Sequence, residues 1–544
     1  MVKNTILSLL LALCCASVAL AQEPTDTTLT SLDQSTDTVL MNGSFCPVRI
    51  YEPVFSVGIV ANAGNSELAP YYISSNCGGT ITQQYSALVY AAAKLWNGSM
   101  HKRFSWGAGF EAWGGYASSA GYQRYAGNGQ FEVQKQHPAR VWIQEAYLAA
   151  NYRSIFAVAG QARKASPIVD GSLSSGDLVW SNNARPPVGL RAGFIDFQNI
   201  PFTKGWVQLQ GEFGYFRQLD DKWLENHYNY YNHFISTNYW LHYKSLHLRT
   251  NPSQPVVFTI GAQAACQFGG TAKYYEDGQV TRTVKMDADA KAFFRTFIAG
   301  SGGNSSGDSF VEGNHLGTWD IALRYSLSEN RHLRAYTQWL WEDGSGIGKM
   351  NGFDGLWGIE FRQYGHYLVS GAAIEYIDFT NQSGPIHWTP NDHEGTPITS
   401  HSSGADDYYN NYIYNGYQNR GMSIGSPFVK SPLYNRDGYM RYRDNELRGF
   451  HIGLKGYLAS EWRYRLLGSY RKAWGTPLLP RVGSVDDFSI MAEVSFTPWR
   501  WRSCFYGPWT MTASVAMDRG KLYGNNWGGM LGITYRGAFN FKKR

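Results

Sequence analysis

The stretch Phe488-Ser-Ile-Met-Ala-Glu-Val-Ser-Phe496 decides the fold of this 544-residue chain. Apolar side chains occupy every second position, and polar residues such as Ser489 and Glu493 stand between them. Because successive side chains of a β-strand point to opposite faces, the stretch predicts a strand with one apolar and one polar face. The same alternation recurs at 508–518 and at 526–539.

Working outward from this stretch, the alternation predicts 18 strands. They lie at 54–63, 78–96, 103–120, 140–150, 153–164, 188–198, 204–216, 236–249, 255–268, 316–327, 331–342, 353–364, 367–379, 447–458, 461–474, 486–498, 508–518 and 526–539. The first of them is the least well defined, and a hairpin within 271–285 competes with it for a place in the sheet.

The connections between these strands are short and long in turn, except for the evenly sized final pair. The short ones include 151–152, 328–330, 365–366 and 459–460, and the long ones include 165–187, 217–235, 269–315 and 380–446. A soluble sandwich has no reason to sort its loops in this way. Short periplasmic turns and long extracellular loops are typical of a transmembrane antiparallel β-barrel, whose even strand number leaves both termini periplasmic.

The composition excludes several other classes of protein. Charged residues make up 17% of the chain and aromatic residues 15%, which is too apolar for disorder. No run of about 18 apolar residues occurs beyond the first 21, so spanning helices are excluded. The net charge of +6 is not clustered, and we expect no nucleic-acid partner.

The N-terminal residues predict export. Lys3, the apolar run 6–13 and Ala19-Leu20-Ala21 are typical of a signal peptide over residues 1–21, whereas the residues before Cys14 and Cys15 disfavour a lipoprotein. We interpret 22–50 as a flexible acidic periplasmic leader and 51–541 as the barrel. The expected location is the outer membrane of a Gram-negative bacterium.

A barrel of this size is wide enough for a wet lumen. The basic side chains that the alternation turns towards the lumen are Arg334, Arg362, Lys455, Arg463 and Arg465. Tryptophans near the predicted strand ends fit either an interfacial girdle or ordinary packing, and these are Trp96, Trp142, Trp206, Trp339 and Trp499.

We predict no catalytic site, metal or cofactor. Gly307-Asp308-Ser309-Phe310 and the G-x-S-x-G matches at 303–307 and 421–425 lie in loops, without the strand-to-helix turn that a nucleophile elbow requires. The cysteines of the mature chain match no zinc template; they are either small buried residues or include a Cys46–Cys77 bridge.

The two long loops at 217–235 and 380–446 are rich in aromatic residues interleaved with Asn and Asp. Flat amphipathic rings cover the C–H face of a sugar, while amides and carboxylates bind its hydroxyls. The same composition also suits a loop that packs on itself over the barrel mouth. The predicted polysaccharide-binding residues are Tyr230, Tyr231, Trp388, Tyr408, Tyr409, Tyr412 and Arg420.

At these segments the chain resembles the Wzi-type capsule assembly family of outer-membrane proteins. The stretches that carry the resemblance are 181–186 (SNNARP), 313–317 (GNHLG), 341–346 (WEDGSG), 354–359 (DGLWGI), 375–376 with 382–385 (EY, QSGP), 408–411 (YYNN) and 421–427 (GMSIGSP). They lie chiefly in predicted loops and at strand ends.

The resemblance implies a non-enzymatic surface lectin that holds exported capsular polysaccharide and helps its assembly at the cell surface. Its expected partners are that polysaccharide and outer-membrane lipid, and we expect a monomer. A diffusion channel or porin is the first alternative. An outer-membrane hydrolase is the second.

Overall fold

A computed structural model of the chain describes residues 54–96, 103–300, 311–342, 344–383, 406–498 and 509–538. Its main sheet consists of β1 (Val54–Gly64), β2 (Ser86–Trp96), β3 (Phe104–Ala117), β4 (Val141–Tyr152), β5 (Ile155–Gln161), β6 (Val188–Phe194, continued by Gln198–Asn199), β7 (Val207–Arg217), β8 (Trp240–Thr250), β9 (Val256–Phe268), β10 (Asn314–Ser328), β11 (Arg331–Trp341), β12 (Gly355–Gln363), β13 (Gly371–Asp378), β14 (Glu446–Ala459), β15 (Trp462–Gly475), β16 (Pro480–Phe496), β17 (Trp509–Gly520) and β18 (Asn526–Ala538).

Every strand pairs antiparallel with the next, and the sheet closes on itself. β18 returns to β1 in an unbroken register from Val54 opposite Ala538 to Gly64 opposite Gly528. The predicted fold class, an antiparallel β-barrel of 18 strands, is confirmed. The first predicted strand belongs to the barrel, and the competing hairpin at 270–286 lies outside it.

The predicted strand at 78–96 begins later than expected, at Ser86. The chain turns sharply just before it, because Asn76, Gly78 and Gly79 have φ values of 55°, 64° and 64°. Such left-handed backbone breaks a strand. Residues 78–85 therefore belong to the connection between β1 and β2.

The two faces of the barrel wall differ in polarity as the alternation predicts. On β16, Phe488 and Ile490 point outwards and are 42% and 43% exposed, whereas Ser489 on the inner face is fully buried. An apolar outer face suits bilayer contact, where water is not available to polar groups. The chain is thus an outer-membrane β-barrel.

The tryptophans near the strand ends divide between the two interpretations. Trp96 and Trp142 are buried inside the barrel, where Trp142 stacks on Trp113 and donates to Gln144, so both are packing residues. Trp206 is 56% exposed, as a girdle residue should be. Trp339 packs against Phe353 and Trp357, and Trp499 lies outside the described residues.

The short and long connections lie at opposite ends, which we call the turn end and the loop end. The long connections at the loop end span 65–85, 118–140, 162–187, 218–239, 269–313, 342–354 and 379–445. The last two connections there, 476–479 and 521–525, are short. The first of them is shorter than predicted because β16 begins at Pro480, earlier than expected.

The long connections contain secondary structure of their own. They hold helices α1 (Tyr71–Ser74), α2 (Asp221–His227), α3 (Ala290–Ile298) and α4 (Gly344–Ile347), a 3-10 turn (Pro432–Tyr434), a hairpin (Ala120–Gly127 with Gln130–Gln136), a three-stranded sheet (His233–Thr237, Gly270–Glu276, Gln279–Met286) and a short strand pair (Gln418–Asn419 with Met422–Ser423). In the part of the chain that the structure describes, no helix is both long and apolar enough to cross a bilayer.

Candidate functional site at the loop end

The predicted basic residues lie on inward-facing positions in the turn-end half of the barrel. Arg334 is 2.5 Å from Glu360, which also binds Arg362. Arg465 lies 3.0 Å from Glu493 on the next strand, and Arg463 occupies the preceding inward position. Each of these three carboxylate contacts joins neighbouring strands or one strand to itself, so much of the basic charge is already neutralised.

Lys455 and Arg362 reach a carboxylate that does not belong to the wall. Asp170 lies 3.4 Å from the Lys455 ammonium and 3.2 Å from the Arg362 guanidinium. Burial alone would raise the pKa of Asp170, but these two cations hold it well below its usual range. Asp170 belongs to residues 162–187, which we call the lumen segment.

The lumen segment runs through the interior of the barrel. The Glu375 carboxylate accepts hydrogen bonds from the Ser174 hydroxyl at 2.5 Å and from the Ser175 backbone N–H at 2.7 Å. The Gln338 side-chain oxygen accepts from the Leu178 N–H at 3.0 Å. A buried backbone needs such partners, and these polar wall residues supply them.

Glycine on the wall lets the lumen segment approach closely. A Cβ atom on Gly453 of β14 would lie 2.2 Å from the Leu173 carbonyl oxygen, which is too close for any other residue. The same carbonyl is 2.8 Å from Nε2 of His451, two residues earlier on the inner face. The sequence of β14 therefore accommodates this segment specifically.

Two further segments cover the lumen segment from the loop end. The Tyr409 hydroxyl donates to the Leu178 carbonyl at 2.8 Å, and the Ser181 hydroxyl donates to that of Gly425 at 2.7 Å. From the other side, the Gly78 N–H donates to the Asn182 carbonyl at 2.7 Å. Residues 65–85, 162–187 and 406–445 together form one packed unit, the loop cap.

The loop cap is closely packed. A cavity of about 10 Å³, lined by residues such as Asn76, Asp177 and Trp180, remains between its segments. A space of this size holds roughly one water molecule. The loop cap therefore occupies part of the loop-end half of the lumen.

Tyr408 and Tyr409 lie in the core of the loop cap and not on its surface. Both are completely buried, and the Tyr408 hydroxyl donates to Asp354 at 3.0 Å. The prediction that these two residues contact sugar is wrong for this structure, because their rings pack against Phe379 and their hydroxyls already have protein acceptors. The alternative of a self-packed loop describes them correctly.

The other predicted binding residues of this loop are placed differently. Tyr412 is 57% exposed, and its carbonyl accepts from the Tyr274 hydroxyl at 3.1 Å. Arg420 is tied to the neighbouring loop, because its guanidinium donates to the Leu219 carbonyl at 2.8 Å. Trp388 lies outside the described residues.

Five partly exposed rings gather on the surface of the loop end. This aromatic patch consists of Tyr125, Phe131, Tyr230, Tyr231 and Tyr275. The ring of Tyr231 is 4.9 Å from that of Tyr125 and 5.2 Å from that of Phe131. Tyr230 and Tyr275 meet edge to face at 5.1 Å.

The patch is supplied by three separate connections. The Tyr125 N–H donates to the Asn229 carbonyl at 2.8 Å, which joins the 118–140 hairpin to the 218–239 loop. The Arg124 guanidinium lies 4.6 Å from the Tyr230 ring centroid. Tyr275 comes from the three-stranded sheet. Because backbone hydrogen bonds hold these pieces together, the rings are fixed relative to one another.

Sequence reasoning placed Tyr230 and Tyr231 among the binding residues but missed their neighbours. Asn128-Gly129 and Asp277-Gly278 are hairpin-turn dipeptides, and Asn128 and Asp277 both adopt positive φ. These turns bring Phe131 opposite Tyr125 and place Tyr275 near the tip of its hairpin. The signal for both hairpins was therefore present in the sequence.

The described residues at the loop end favour binding chemistry over catalysis. Ser423 of the 421–425 match is fully buried in a short strand pair, with no strand-to-helix turn around it. The matches at 303–310 lie outside the described residues. Within those residues, no group of three or more His, Cys, Asp or Glu side chains could hold a metal ion.

The two cysteines in the described residues, Cys77 and Cys266, are free thiols. Cys77 donates to the Ser75 carbonyl at 3.2 Å. Cys46 lies outside the described residues.

Comparisons with known proteins find distant structural likenesses only. No family model and no curated protein match the chain. A crystal structure of Pseudomonas aeruginosa OccD3 (OpdP) aligns over 90% of this chain and 91% of its own, with a TM-score of 0.42 and 10% identity. A crystal structure of Acinetobacter baumannii OccAB2 aligns over 90% of this chain and 98% of its own, with a TM-score of 0.44 and 9% identity. A loop-deletion mutant of OmpT, an outer membrane protein of Vibrio cholerae, covers 89% of this chain with a TM-score of 0.34.

Proposed function

We propose that this barrel binds polysaccharide at the cell surface through the aromatic patch. The observation that carries the proposal is the gathering of five partly exposed rings from three connections on one surface. Rings in this arrangement offer apolar faces to the C–H surface of a sugar. Arg124 beside them supplies donors for hydroxyl or carboxylate groups.

The loop cap supports this proposal because it gives the patch a fixed base. Each patch contact with a sugar is weak, so retention of a long polymer would rest on many contacts along its repeats. Arg124 and Arg282, which stack on Tyr230 and Tyr274, favour an acidic glycan. Together with the resemblance to the Wzi-type family, this makes capsular polysaccharide the proposed ligand.

The test compares two sets of alanine substitutions in cells that lack the native gene. We expect Tyr125→Ala, Phe131→Ala and Tyr231→Ala together to release polysaccharide into the medium at an unchanged amount of folded barrel. The matched control is Phe202→Ala with Tyr364→Ala, two exposed aromatic residues at the turn end. Unchanged retention in the triple variant would refute binding at the patch.

A diffusion channel is the second candidate. The turn-end half of the lumen favours it, because the Arg362 and Lys455 side chains there remain 37% and 24% exposed. A charged, water-accessible lumen is the feature that channel-forming barrels share. If the barrel is a channel, the lumen segment narrows the path for solutes. Single-channel conductance in a planar bilayer measures directly whether ions pass through the barrel.

A further inference from the structure

Helix α3 packs on the outside of the barrel wall. Its Phe293 ring lies 5.0 Å from Tyr215 and 5.1 Å from Trp240, and its Phe297 ring lies 5.9 Å from Phe213. Tyr215 and Phe213 point away from the lumen, since Glu212, which alternates with them along β7, binds Lys164 inside the barrel.

The burial pattern of β9 shows how far the cover extends. Towards the turn end its outward residues Phe258 and Ile260 are 40% and 44% exposed, as expected for a lipid-facing wall. Towards the loop end the outward positions are closed, with Cys266 and Phe268 at 1% and 0%. These two residues form one apolar cluster with Ala292 of α3.

The cover also explains two polar residues on the outer wall. Lys244 and His242 of β8 occupy outward positions, where hydrocarbon would offer no partner to the Lys244 ammonium. The Lys244 ammonium donates to the Phe297 carbonyl at the end of α3, and the His242 ring lies 5.7 Å from the Phe297 ring. The helix therefore replaces lipid at this part of the wall.

The other side of α3 is apolar, and within the described residues no protein covers it. Phe294, Phe297 and Ile298 are 63%, 41% and 54% exposed. They continue the lipid-facing surface of the wall, where Phe213 and Leu246 are 46% and 53% exposed. A bilayer that contacts those wall residues must also reach the helix beside them.

We propose that α3 is an interfacial helix whose exposed apolar stripe contacts the acyl chains of the leaflet at the loop end. Lys291 lies on the same stripe, one turn before Phe294, and is exposed. Because Phe297 packs further from the loop end than Phe293 does, the helix descends into the leaflet and leaves Lys291 at headgroup level. Amphipathic helices with a cationic end bind membranes in this way.

The experiment places a photoreactive benzophenone side chain at single phenylalanine positions of the full mature chain. The protein is reconstituted in vesicles of phosphatidylethanolamine and phosphatidylglycerol, irradiated, and analysed by mass spectrometry for lipid adducts. Phe110, 48% exposed on the outer wall of β3, is the lipid-facing reference. Phe131, 40% exposed in the aromatic patch, is the matched position away from the membrane.

We expect position 294 to give a lipid adduct in a yield similar to that of position 110 and several-fold above that of position 131. A yield at 294 no higher than at 131 would overturn the proposal. A crosslink from 294 to a second copy of the chain would also overturn it, because protein and not lipid would then cover the stripe. Neither result depends on polysaccharide binding.

Discussion

Arg471 joins three parts of the molecule at a single side chain. It lies on the inner face of β15, is completely buried, and donates to the Phe428 carbonyl at 3.1 Å and the Ser489 hydroxyl at 3.1 Å. Its guanidinium stands 3.7 Å from the Tyr71 ring centroid. A buried cation needs several such partners, and here they come from wall and loop cap alike.

We predict that Arg471→Gln lowers the free energy of unfolding by about 3–5 kcal/mol, because the buried Asp487 nearby loses its cation. Guanidinium unfolding in detergent micelles measures the change. Arg463→Gln, at a half-buried position on the same strand, is the control and should cost under about 1 kcal/mol. Equal effects of the two substitutions would contradict this account.

Asp354 links the 342–354 connection to the loop cap. Its carboxylate accepts from the Asn381 N–H at 3.1 Å, the Gln382 N–H at 2.6 Å and the Tyr408 hydroxyl. Burial raises its pKa from an ordinary 3.8 to about 7. The folded state therefore holds the proton more tightly than the unfolded state does.

This pKa makes the local structure pH-dependent. As pH rises from about 4 to about 7, folding must increasingly keep a charged carboxylate buried. We therefore predict that the free energy needed to open the local structure around Asp354 falls towards pH 8 and rises towards pH 5. Hydrogen exchange at the Asn381 and Gln382 amides, corrected for intrinsic rates, measures this local stability as a function of pH. Asp354→Asn should flatten the profile. A wild-type profile that is already flat would rule the mechanism out.

At the scale of elements, the lumen segment lies in the path that a solute would take through the barrel. Its ends meet at the paired residues Gln161 and Val188, so a short linker can replace its interior without stretching the wall. We predict that exchanging residues 168–184 for a Gly-Ser linker raises single-channel conductance, because Leu178 and its neighbours no longer fill the lumen.

The control for this experiment is the hairpin at 120–136. Its tip lies on the surface and carries Tyr125 and Phe131, so shortening it should leave conductance unchanged while lowering polysaccharide retention. An unchanged conductance after exchange of residues 168–184 would show that this segment does not close the lumen.

At the scale of the whole molecule, the seam between β1 and β18 defines the barrel. Ala61 stands opposite Leu531, and both point outwards. In a chain whose other cysteines are replaced by alanine, we predict that Ala61→Cys with Leu531→Cys forms a disulfide on oxidation, since directly opposed Cβ atoms lie about 4.5–5.5 Å apart.

The crosslink is detected as faster migration of the denatured chain on a gel. Ala61→Cys with Ile533→Cys shares the outward face but is displaced by two residues, because Ile533 pairs with Ile59. This second pair should crosslink poorly. Preferential crosslinking of the displaced pair would indicate a different register and hence a different barrel.

The positions of the barrel strands could be predicted from the sequence because the requirement is local. Each residue of a wall strand meets either hydrocarbon or the lumen, and this alternation is written directly into segments such as 488–496. The alternation of short and long connections further predicted that these strands close into a barrel. The predicted strand boundaries were wrong where the backbone adopts a left-handed conformation, as at Asn76 and Gly78 before β2.

What the loops do was decided only by the tertiary structure. Tyr408 and Tyr231 both lie in loop stretches rich in Tyr and Asn, yet the first is buried in the loop cap and the second is partly exposed in the aromatic patch. The difference arises from partners distant in the chain, such as Asp354 and Phe131. A tyrosine in a polar loop can satisfy its hydroxyl inside the protein or outside it, and only the packing of the other loops selects between the two.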